Sequence, residues 1–493
     1  MTDISLGPTA RKTARRGSTT SKDTPGNVRT RGLMGLLVLG FVVSVAMPNV
    51  IFLGGIRLSP YRIILLVAII PLIIAWLQGK GGRIYGFDLF MLAFAIWAFL
   101  SISVVHGIAR GAEAGTILFI ETFGAFLLGR IAIRSSADHT RTLKIHIFVI
   151  LFLLPFSIFE TLTGRPILVE LAQKIGPAIG VVTDPKRMGL ERVQSTFEHE
   201  ILYGAYGASA IGGMYFALNF GRNFFTRIPG LLLVFVSTFL SLSSGALMAA
   251  VFQILLIIYE RASRFLYRRW TWFGVGSAIL YILIDLLSNR NPFHVVTSYL
   301  TFNTGSAYNR ILIWRYGTDN VAQNPVFGLG FNDWERPFWM GDSVDNFWLL
   351  IAMRHGIPAV TFLILGTVLI IRRVSWAPVE DPYERACRAG YLTVLGGLIL
   401  ASATVHYWNS IYVWFLFLIG SGSYLLETKS QNTDAAQTAP SKGRRQTGTS
   451  GRTARTLSKE AADIPETMPS QQPVKLASRY TRGSLHKGPS KKL

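Results

Sequence analysis

The stretch YRIILLVAIIPLIIAWL at residues 61–77 decides the fold class of this chain. Arg62 is its only charged residue, and a helix of roughly 20 apolar residues crosses a bilayer. We count about twelve such runs along the chain. With 50% hydrophobic and 15% charged residues among 493, the chain is predicted to be an all-α polytopic membrane protein. The approximate limits of the runs are 34–53, 61–77, 87–107, 114–133, 144–160, 200–219, 228–243, 245–260, 270–288, 346–371, 389–407 and 410–426.

The runs at 228–243 and 245–260 decide between eleven and twelve spans, because only Ser244 separates them. Positive charge favours twelve, since Lys and Arg in short loops are retained on the cytoplasmic side. With twelve spans the basic loops fall on the side of both termini, which are therefore predicted to be cytoplasmic. The long loops at about 161–199 and 289–345 then face the periplasm. The basic loops carry Lys80/Arg83, Arg130/Arg134/Arg141/Lys144, Arg222/Arg227, Arg261/Arg264/Arg268/Arg269 and Arg372/Arg373.

Both ends of the chain are basic and polar. Residues 1–33 hold seven Lys or Arg against two Asp or Glu, and residues 427–493 hold thirteen against five. We predict that both are disordered cytoplasmic tails, because they lack the apolar content to order themselves. Basic tails beside a membrane favour contacts with anionic lipids over nucleic acid, which is not a predicted partner.

The cysteine count and the missing sequence motifs exclude several kinds of chemistry. Cys387 is the single cysteine, so disulfides, iron–sulfur clusters and Cys-based zinc sites are excluded. The segment Gly328-Leu329-Gly330 lacks the lysine of a phosphate-binding loop and is read as a turn after Pro325. No metal ion and no cofactor are predicted. An enzyme on the outer face, where there is no ATP, needs a substrate that is already activated, and lipid-diphosphate sugars meet that need.

The segment YNRILIWRY at residues 308–316 carries two candidate anion-binding residues, Arg310 and Arg315. Arginine binds phosphate bidentately and keeps its charge. Positions five apart on a helix diverge by roughly 140°, so the two side chains are not expected to face one ligand. We favour Arg310. The alternative is that both arginines extend toward lipid headgroups.

Two further clusters are candidates for binding and proton transfer. In RVQSTFEHE at 192–200, Arg192 can pair with a diphosphate, while Glu198 or His199 can accept a proton. The alternative for this cluster is a helix cap followed by an acidic first turn.

The second cluster is Asp345-Asn346, which opens the tenth predicted span, with Arg354 about 13 Å further along the helix at 1.5 Å per residue. A charge at that depth is by default a functional candidate. Its alternative is a structural ion pair with Glu121 or Asp285.

The order of these features resembles the O-antigen ligase and Wzy-type polysaccharide polymerase family, bundles of about twelve helices with a large periplasmic loop before the third-last span. The likeness covers roughly residues 34–426. The matching pieces are Arg192 with FEH at 197–199, SLSSGA at 241–246, Arg310 with Trp314, NPVFGLG at 324–330, and Asp345-Asn346 followed by Leu349 and Gly356.

The resemblance implies a membrane glycosyltransferase fold of the type called GT-C. It also implies an inverting, metal-independent transfer of glycan from undecaprenyl diphosphate, at the periplasmic face of a bacterial inner membrane. Arg192 and Arg310 would then bind the diphosphate, with Arg315 as a weaker candidate. Arg354 departs from the family, which often has an acidic residue at this place, and is kept as a further candidate for binding the diphosphate.

Asp345 departs from the family's ligases, which have His before Asn at this place, and an Asp-Asn pair is similar to some polymerases. We therefore predict an exopolysaccharide or O-antigen polymerase that transfers a growing chain to the next lipid-linked repeat unit. Asp345 would orient or deprotonate the acceptor hydroxyl, unless His199 or Glu198 does so, and Asn346 would position the acceptor. Other polysaccharide assembly and export proteins are predicted partners.

Two alternatives are kept. A ligase would place the glycan on lipid A-core or protein instead of on a repeat unit. A transporter or flippase of polysaccharide precursors would need charged residues spread along several helices, whereas here the charges gather in outer loops and at span ends.

Overall fold

The computed structural model describes residues 25–427, apart from 55, 268 and 288–303. Most of the two predicted tails, residues 1–24 and 428–493, lies outside the described residues. The first helix begins at Pro25, before the predicted start of the first span at residue 34.

The described part of the chain is mostly helical, with one short β-hairpin. The hairpin pairs β1 (Ile51–Leu53) with β2 (Ile56–Leu58) in antiparallel register. The helices are α1 Pro25–Val45, α2 Pro60–Leu77, α3 Gly86–His106, α4 Ile108–Ala132, α5 Ser136–Thr163, α6 Ile167–Ile175, α7 Glu200–Leu218, α8 Phe224–Leu240, α9 Ser244–Ala262, α10 Arg269–Leu287, α11 Thr304–Gln323, α12 Phe347–Trp376, α13 Pro382–Ser402 and α14 Asn409–Leu426.

Within the described ranges, nine helices are long and apolar enough to cross a membrane. Each of the twelve predicted runs falls on a helix, but α1 and α8 have shorter apolar stretches, and α13 begins with charged residues. The run predicted at 34–53 is helical only to Val45. Pro48 follows shortly afterwards, and proline disfavours helical geometry in the residue before it, so the last residues of this run form β1 instead.

The uncertain pair of runs at 228–243 and 245–260 forms two separate helices, α8 and α9. The break lies at residues 241–243, where Leu242 adopts a left-handed backbone conformation with φ of 46°. A left-handed residue cannot continue a right-handed helix, so the chain turns here and exposes backbone groups at this end of the bundle.

The bundle is built around α7 and α14, whose residues are mostly buried. The indole of Trp414 on α14 packs against Tyr206 of α7 and against His146 of α5, with ring centroids 5.3 and 4.7 Å apart. By contrast, none of the residues of α10 from Trp270 onward is buried, so this helix lies at the periphery. An apolar, unburied helix is one whose side chains face lipid.

A fully buried arginine, Arg130, joins three segments at the end of the bundle that is predicted to face the cytoplasm. Its Nε lies 3.2 Å from Oδ1 of Asp88, and its Nη2 lies 3.8 Å from Oε1 of Glu427. The guanidinium also donates to the carbonyls of Gly81 and Arg83. Two carboxylates and two carbonyls therefore satisfy this buried cation within the protein.

Candidate active site

A cavity of about 770 Å³ lies at the opposite end of the bundle. Its walls come from loops predicted to face outward, or from helix turns that adjoin those loops. These segments are far apart in the chain, and their convergence agrees with the side of the membrane that positive charge assigns to them. The lining residues fall within 184–201, 243–244, 310, 329–345, 350–354 and 405–408.

Arg310 of α11 lines this cavity and is 6% exposed. Its Nη2 donates to Oγ of Ser244, the first residue of α9, at 3.2 Å. Its Nε is buried without a hydrogen-bond partner, and Arg310 makes no ion pair with any described residue. Burial lowers the pKa of Arg310, while Asp345 opposes this shift and Arg187 adds to it. A buried cation in this condition is poised to receive an anion.

Arg187 is a second cation of the cavity, and the sequence analysis did not select it. Its Nη1 donates to the carbonyl of Leu242, at 2.7 Å, which the left-handed turn leaves free of the helix. Burial lowers the pKa of Arg187, and the charge of Arg192 lowers it further. Arg187 makes no ion pair within the described ranges either. The signal that could have found it is its place in the same predicted outer loop as Arg192.

Arg192 also lines the cavity, but carboxylates already bind it. Its Nη1 contacts Asp184 and lies 2.5 Å from Oε1 of Glu200. A hydrogen bond with Glu200, together with burial, raises the pKa of Asp184, and Arg192 opposes that shift. Asp184, His199 and Glu200 are spaced closely enough to hold a metal ion. Because Arg192 contacts two of the three, we assign this cluster to anchoring Arg192.

His199 connects the carboxylate cluster to the cavity. It caps the start of α7, with Nδ1 lying 3.3 Å from the backbone nitrogen of Ile201 and 3.0 Å from Oε2 of Glu200. Its Nε2 lies 3.9 Å from Oδ2 of Asp184. While Nδ1 accepts from Ile201, Nε2 carries the proton of the neutral ring; the other tautomer, with Nδ1 donating to Glu200, would free Nε2 to act as a base. The structure shows the capping contact, and proton transfer by His199 stays a prediction.

Asp345 and Arg354 complete the charged lining. Asp345 is half-buried, accepts a hydrogen bond from Oγ of Ser343 at 3.0 Å, and acts electrostatically on both Arg310 and Arg187. Arg354 lies over the ring of Phe331, with 5.9 Å between the guanidinium carbon and the centroid.

The alternative of a structural ion pair for Arg354 is wrong in the described part of the chain. Glu121 instead binds Arg62 at 2.7 Å, and Asp285 lies on the exposed surface of α10. Arg354 therefore joins Arg187 and Arg310 as a cavity arginine without an ion-pair partner among the described residues.

A break in α12 places Arg354 at the cavity. Gly356 interrupts the helix with φ of 80° and ψ of 173°, which frees the carbonyls of the preceding turn. The segment 324–330 satisfies them: Leu329 donates to Met353 at 2.7 Å and Gly330 donates to Arg354 at 2.9 Å. Irregular backbone at membrane depth is tolerated where protein groups pair it and where it borders a cavity. The motif at 324–330 thus supplies the hydrogen-bond donors for the carbonyls that the break in α12 leaves free.

Three predicted site residues do not line the cavity, and their contacts argue against the roles assigned to them. The carboxylate of Glu198 is bound by Arg57 and Asn409 and is not part of the cavity lining. Arg315 is exposed on another face of α11 and lies over the ring of Tyr316. The helical angle between positions five apart accounts for this separation from Arg310.

The third of these residues, Asn346, is buried and serves as the N-cap of α12. Its Oδ1 accepts a hydrogen bond from the backbone nitrogen of Leu349 at 3.0 Å. An N-cap side chain satisfies one of the unpaired donors of the first helical turn. This contact explains an Asn at position 346 without any contribution to acceptor binding.

The geometry therefore combines one buried and two half-buried arginines without ion-pair partners among the described residues, two candidate bases and a cavity at one end of a membrane-spanning bundle. Residues 229–364 match the protein-family model described as O-antigen ligase. This segment of the chain is similar to the O-antigen ligase family. The matched segment contains Arg310, Asp345 and Arg354, whereas Arg187 and His199 lie outside it. The resemblance inferred from the sequence is confirmed by this match, which supports a membrane enzyme of the ligase or polymerase kind. A search of curated proteins finds no significant match.

Proposed function

We propose that this protein is an inner-membrane polymerase of exopolysaccharide or O-antigen repeat units. It transfers glycan from an undecaprenyl-diphosphate carrier to an acceptor repeat unit at the periplasmic face. The observation that carries the proposal is the state of Arg310, a buried cation in a cavity with an unpaired Nε and no described ion-pair partner. A diphosphate would supply the missing negative charge and acceptor oxygens.

The cavity arginines suit a diphosphate better than they suit a ligand with a single negative charge. Arg310 and Arg187 interact electrostatically, and burial lowers the pKa of both, so neither stabilises the other. The fold nevertheless keeps these like charges close together. Arg310 donates to the hydroxyl of Ser244, and Arg187 donates to the carbonyl of Leu242, two residues earlier in the chain. Binding of a dianionic leaving group converts this repulsion into attraction.

In the proposed step, the acceptor hydroxyl oxygen bonds to the anomeric carbon of the donor as the bond from that carbon to the phosphate oxygen breaks. The electron pair of the broken bond leaves on undecaprenyl diphosphate, where Arg310 and Arg187 stabilise the charge. The hydroxyl proton passes to Asp345 or to Nε2 of His199, both of which line the cavity. Attack from the face opposite the leaving group inverts the anomeric carbon.

The ligase remains the second candidate, because the family model that matches the chain is described as O-antigen ligase. The polymerase is favoured by the resemblance of Asp345-Asn346 to some polymerases. The two enzymes differ only in the acceptor, so the glycans that accumulate without the protein distinguish them.

The test is to delete the gene and size the glycan on the lipid carrier and outside the cell. We expect single repeat units to accumulate and polymer to disappear. Normal-length polymer retained on the lipid carrier would instead indicate a ligase, and unchanged glycans would favour transport. Complementation with Arg310→Ala and Asp345→Asn at normal membrane levels should fail, while Arg315→Ala should restore polymer. Full-length polymer from both site variants would contradict the proposal.

A further inference from the structure

One side of the cavity is formed by aromatic rings of the loop between α13 and α14, which the charged site does not use. His406 and Trp408 both line the cavity and are half-buried. Their rings stack, with centroids 5.4 Å apart and planes 20° from parallel. Phe347, which is fully buried, stacks behind His406 with centroids 6.2 Å apart and planes 22° from parallel. Stacking covers the ring faces of His406, and Trp408 ends this row of rings at the cavity lining.

The contacts around Trp408 fix the orientation of this surface. The next residue, Asn409, has a left-handed φ of 47°, a conformation that asparagine adopts more readily than most residues other than glycine. The side-chain amide of Asn409 donates to Glu198, and Arg57 binds the same carboxylate. These contacts hold the turn at Trp408 in one conformation. Glu198 therefore acts on the cavity indirectly, as a positioning residue for the Trp408 turn.

The chemical character of the His406–Trp408 stack indicates which class of ligand it can bind. Burial, with a further contribution from Arg354, lowers the pKa of His406 to about 3, so a neutral ring lies behind Trp408. Aromatic faces carry partial negative charge and attract the polarised C–H groups of a sugar ring. The same cavity is lined by Asp345, Ser243 and His199, which can bind hydroxyl groups. A ligand with an apolar C–H face and a rim of hydroxyls, such as a pyranose, matches both surfaces.

The location of the His406–Trp408 stack indicates whether it binds the donor sugar or the acceptor sugar. The ring of His199 lies edge-on to Trp408, with centroids 5.6 Å apart. A sugar stacked on Trp408 would therefore lie beside a candidate base, which is where an attacking hydroxyl must be. We propose that the His406–Trp408 stack is the subsite for the acceptor sugar, separate from the arginines that bind the diphosphate. This inference rests on the proposed function.

The experiment compares two probes on the full-length protein in lipid nanodiscs. The first probe is the repeat-unit oligosaccharide released by mild acid from the lipid carrier of the deletion strain, and the second is undecaprenyl diphosphate without sugar. Binding of each probe is titrated against the wild type, Trp408→Ala, Trp408→Phe and the control Trp272→Ala. Trp272 lies on α10 and is 61% exposed. Trp408→Phe keeps an aromatic face and serves as the conservative variant.

We expect Trp408→Ala to weaken oligosaccharide binding by about tenfold or more, with Trp408→Phe close to the wild type. Binding of undecaprenyl diphosphate should be equal in all four proteins. Equal oligosaccharide binding by Trp408→Ala and the wild type would overturn the inference and leave the proposed function intact. Loss of both probes in Trp408→Ala would also overturn it, since Trp408 would then be structural. A wild type that binds neither probe would contradict the proposed function itself.

Discussion

Two buried arginines at opposite ends of the bundle show how differently the fold treats the same side chain. Arg130 is 0% exposed and meets Asp88, Glu427 and two backbone carbonyls. Arg310 is 6% exposed, yet it donates only to the hydroxyl of Ser244 and leaves Nε without a partner among the described residues. Burial removes both guanidinium groups from water, but only Arg130 gains protein acceptors and negative charges that replace the lost contacts with water.

The difference separates a structural arginine from one that awaits a ligand. A buried charge without compensation costs free energy, so a fold that retains one needs a reason beyond stability. At Arg130 the protein supplies that compensation and gains the connection of three segments. At Arg310 we infer that the substrate supplies it. Substitutions at the two positions should therefore change different properties: folding for Arg130 and substrate binding for Arg310.

The largest effect is expected from Arg130→Leu. It leaves the carboxylate of Asp88 buried without its partner, and breaking a buried pair in this way costs about 3–5 kcal/mol. Membrane levels and the thermal unfolding temperature in detergent should both fall strongly. The matched double variant Arg130→Leu with Asp88→Leu should recover part of the loss. A wild-type unfolding temperature for Arg130→Leu would show that this end of the bundle does not depend on the cluster.

Arg310→Ala should show the reverse. We expect a loss of transfer worth about 2–5 kcal/mol in the transition state, because a buried charge contact with the substrate disappears. That corresponds to about 30-fold or more in rate. The unfolding temperature should be unchanged or higher, since an uncompensated cation has been removed. Rates are measured on purified protein with lipid-linked repeat units, and Arg310→Lys should retain part of the activity as a point charge.

Gly356→Ala tests whether the break in α12 is needed for the site. A Cβ at this position would collide with the carbonyl of Val326, and φ of 80° disfavours any side chain. We expect about 1–3 kcal/mol of destabilisation together with reduced transfer, since Arg354 would shift. Gly276→Ala on α10 is the control, because its Cβ would meet open space. Wild-type values for both variants would mean that the break does not position Arg354.

Glu198→Gln should have a smaller effect and distinguishes positioning from proton transfer. If Glu198 only holds Asn409, the amide keeps part of that contact and transfer should fall a few-fold, with the loss in acceptor KM. Removing a general base costs about 10²–10⁴-fold in rate. A loss of that size in kcat would restore the proton-transfer role that the sequence suggested for this residue.

Arg315→Ala should have the smallest effect, within about 0.5 kcal/mol in stability and with unchanged transfer. Its side chain is exposed and outside the cavity, although it lies only five residues from Arg310 on the same helix. Comparison of the two alanine variants, assayed side by side, tests whether the cavity face of α11 alone carries function. A loss from Arg315→Ala equal to that from Arg310→Ala would contradict the site as drawn.

The helices were predictable from the sequence because apolar runs and basic loops report directly on a bilayer. Helical geometry likewise predicted that Arg310 and Arg315 point in different directions, and of these two only Arg310 lines the cavity in the structure. Arg187 was missed although it lies in the same predicted outer loop as Arg192, because the carbonyl of Leu242 that binds its side chain is distant in sequence. The opposite error occurred at Glu198, where a catalytic residue type next to His199 was bound by Arg57 and Asn409 from other segments.

The contacts of the His406–Trp408 stack could not be predicted from the sequence for the same reason. Nothing near Trp408 in the sequence indicates that its ring stacks on His406 and adjoins His199 in a charged cavity. The motif at 324–330 was correctly read as a turn, but its purpose became clear only beside Gly356. Residues whose roles depend on neighbours along one helix were thus predictable, whereas roles that depend on contacts between distant segments were not.

The most direct test of the central claim is the affinity of undecaprenyl diphosphate for the wild type, Arg310→Ala and Arg315→Ala in nanodiscs, measured with the unfolding temperature of each protein without ligand. The account predicts that Kd rises by about tenfold or more for Arg310→Ala. It predicts no change in Kd for Arg315→Ala, and no fall in the unfolding temperature of either variant. An unchanged Kd for Arg310→Ala, or an unfolding temperature that falls as far as that of Arg130→Leu, would show that Arg310 is a structural arginine and would contradict the account.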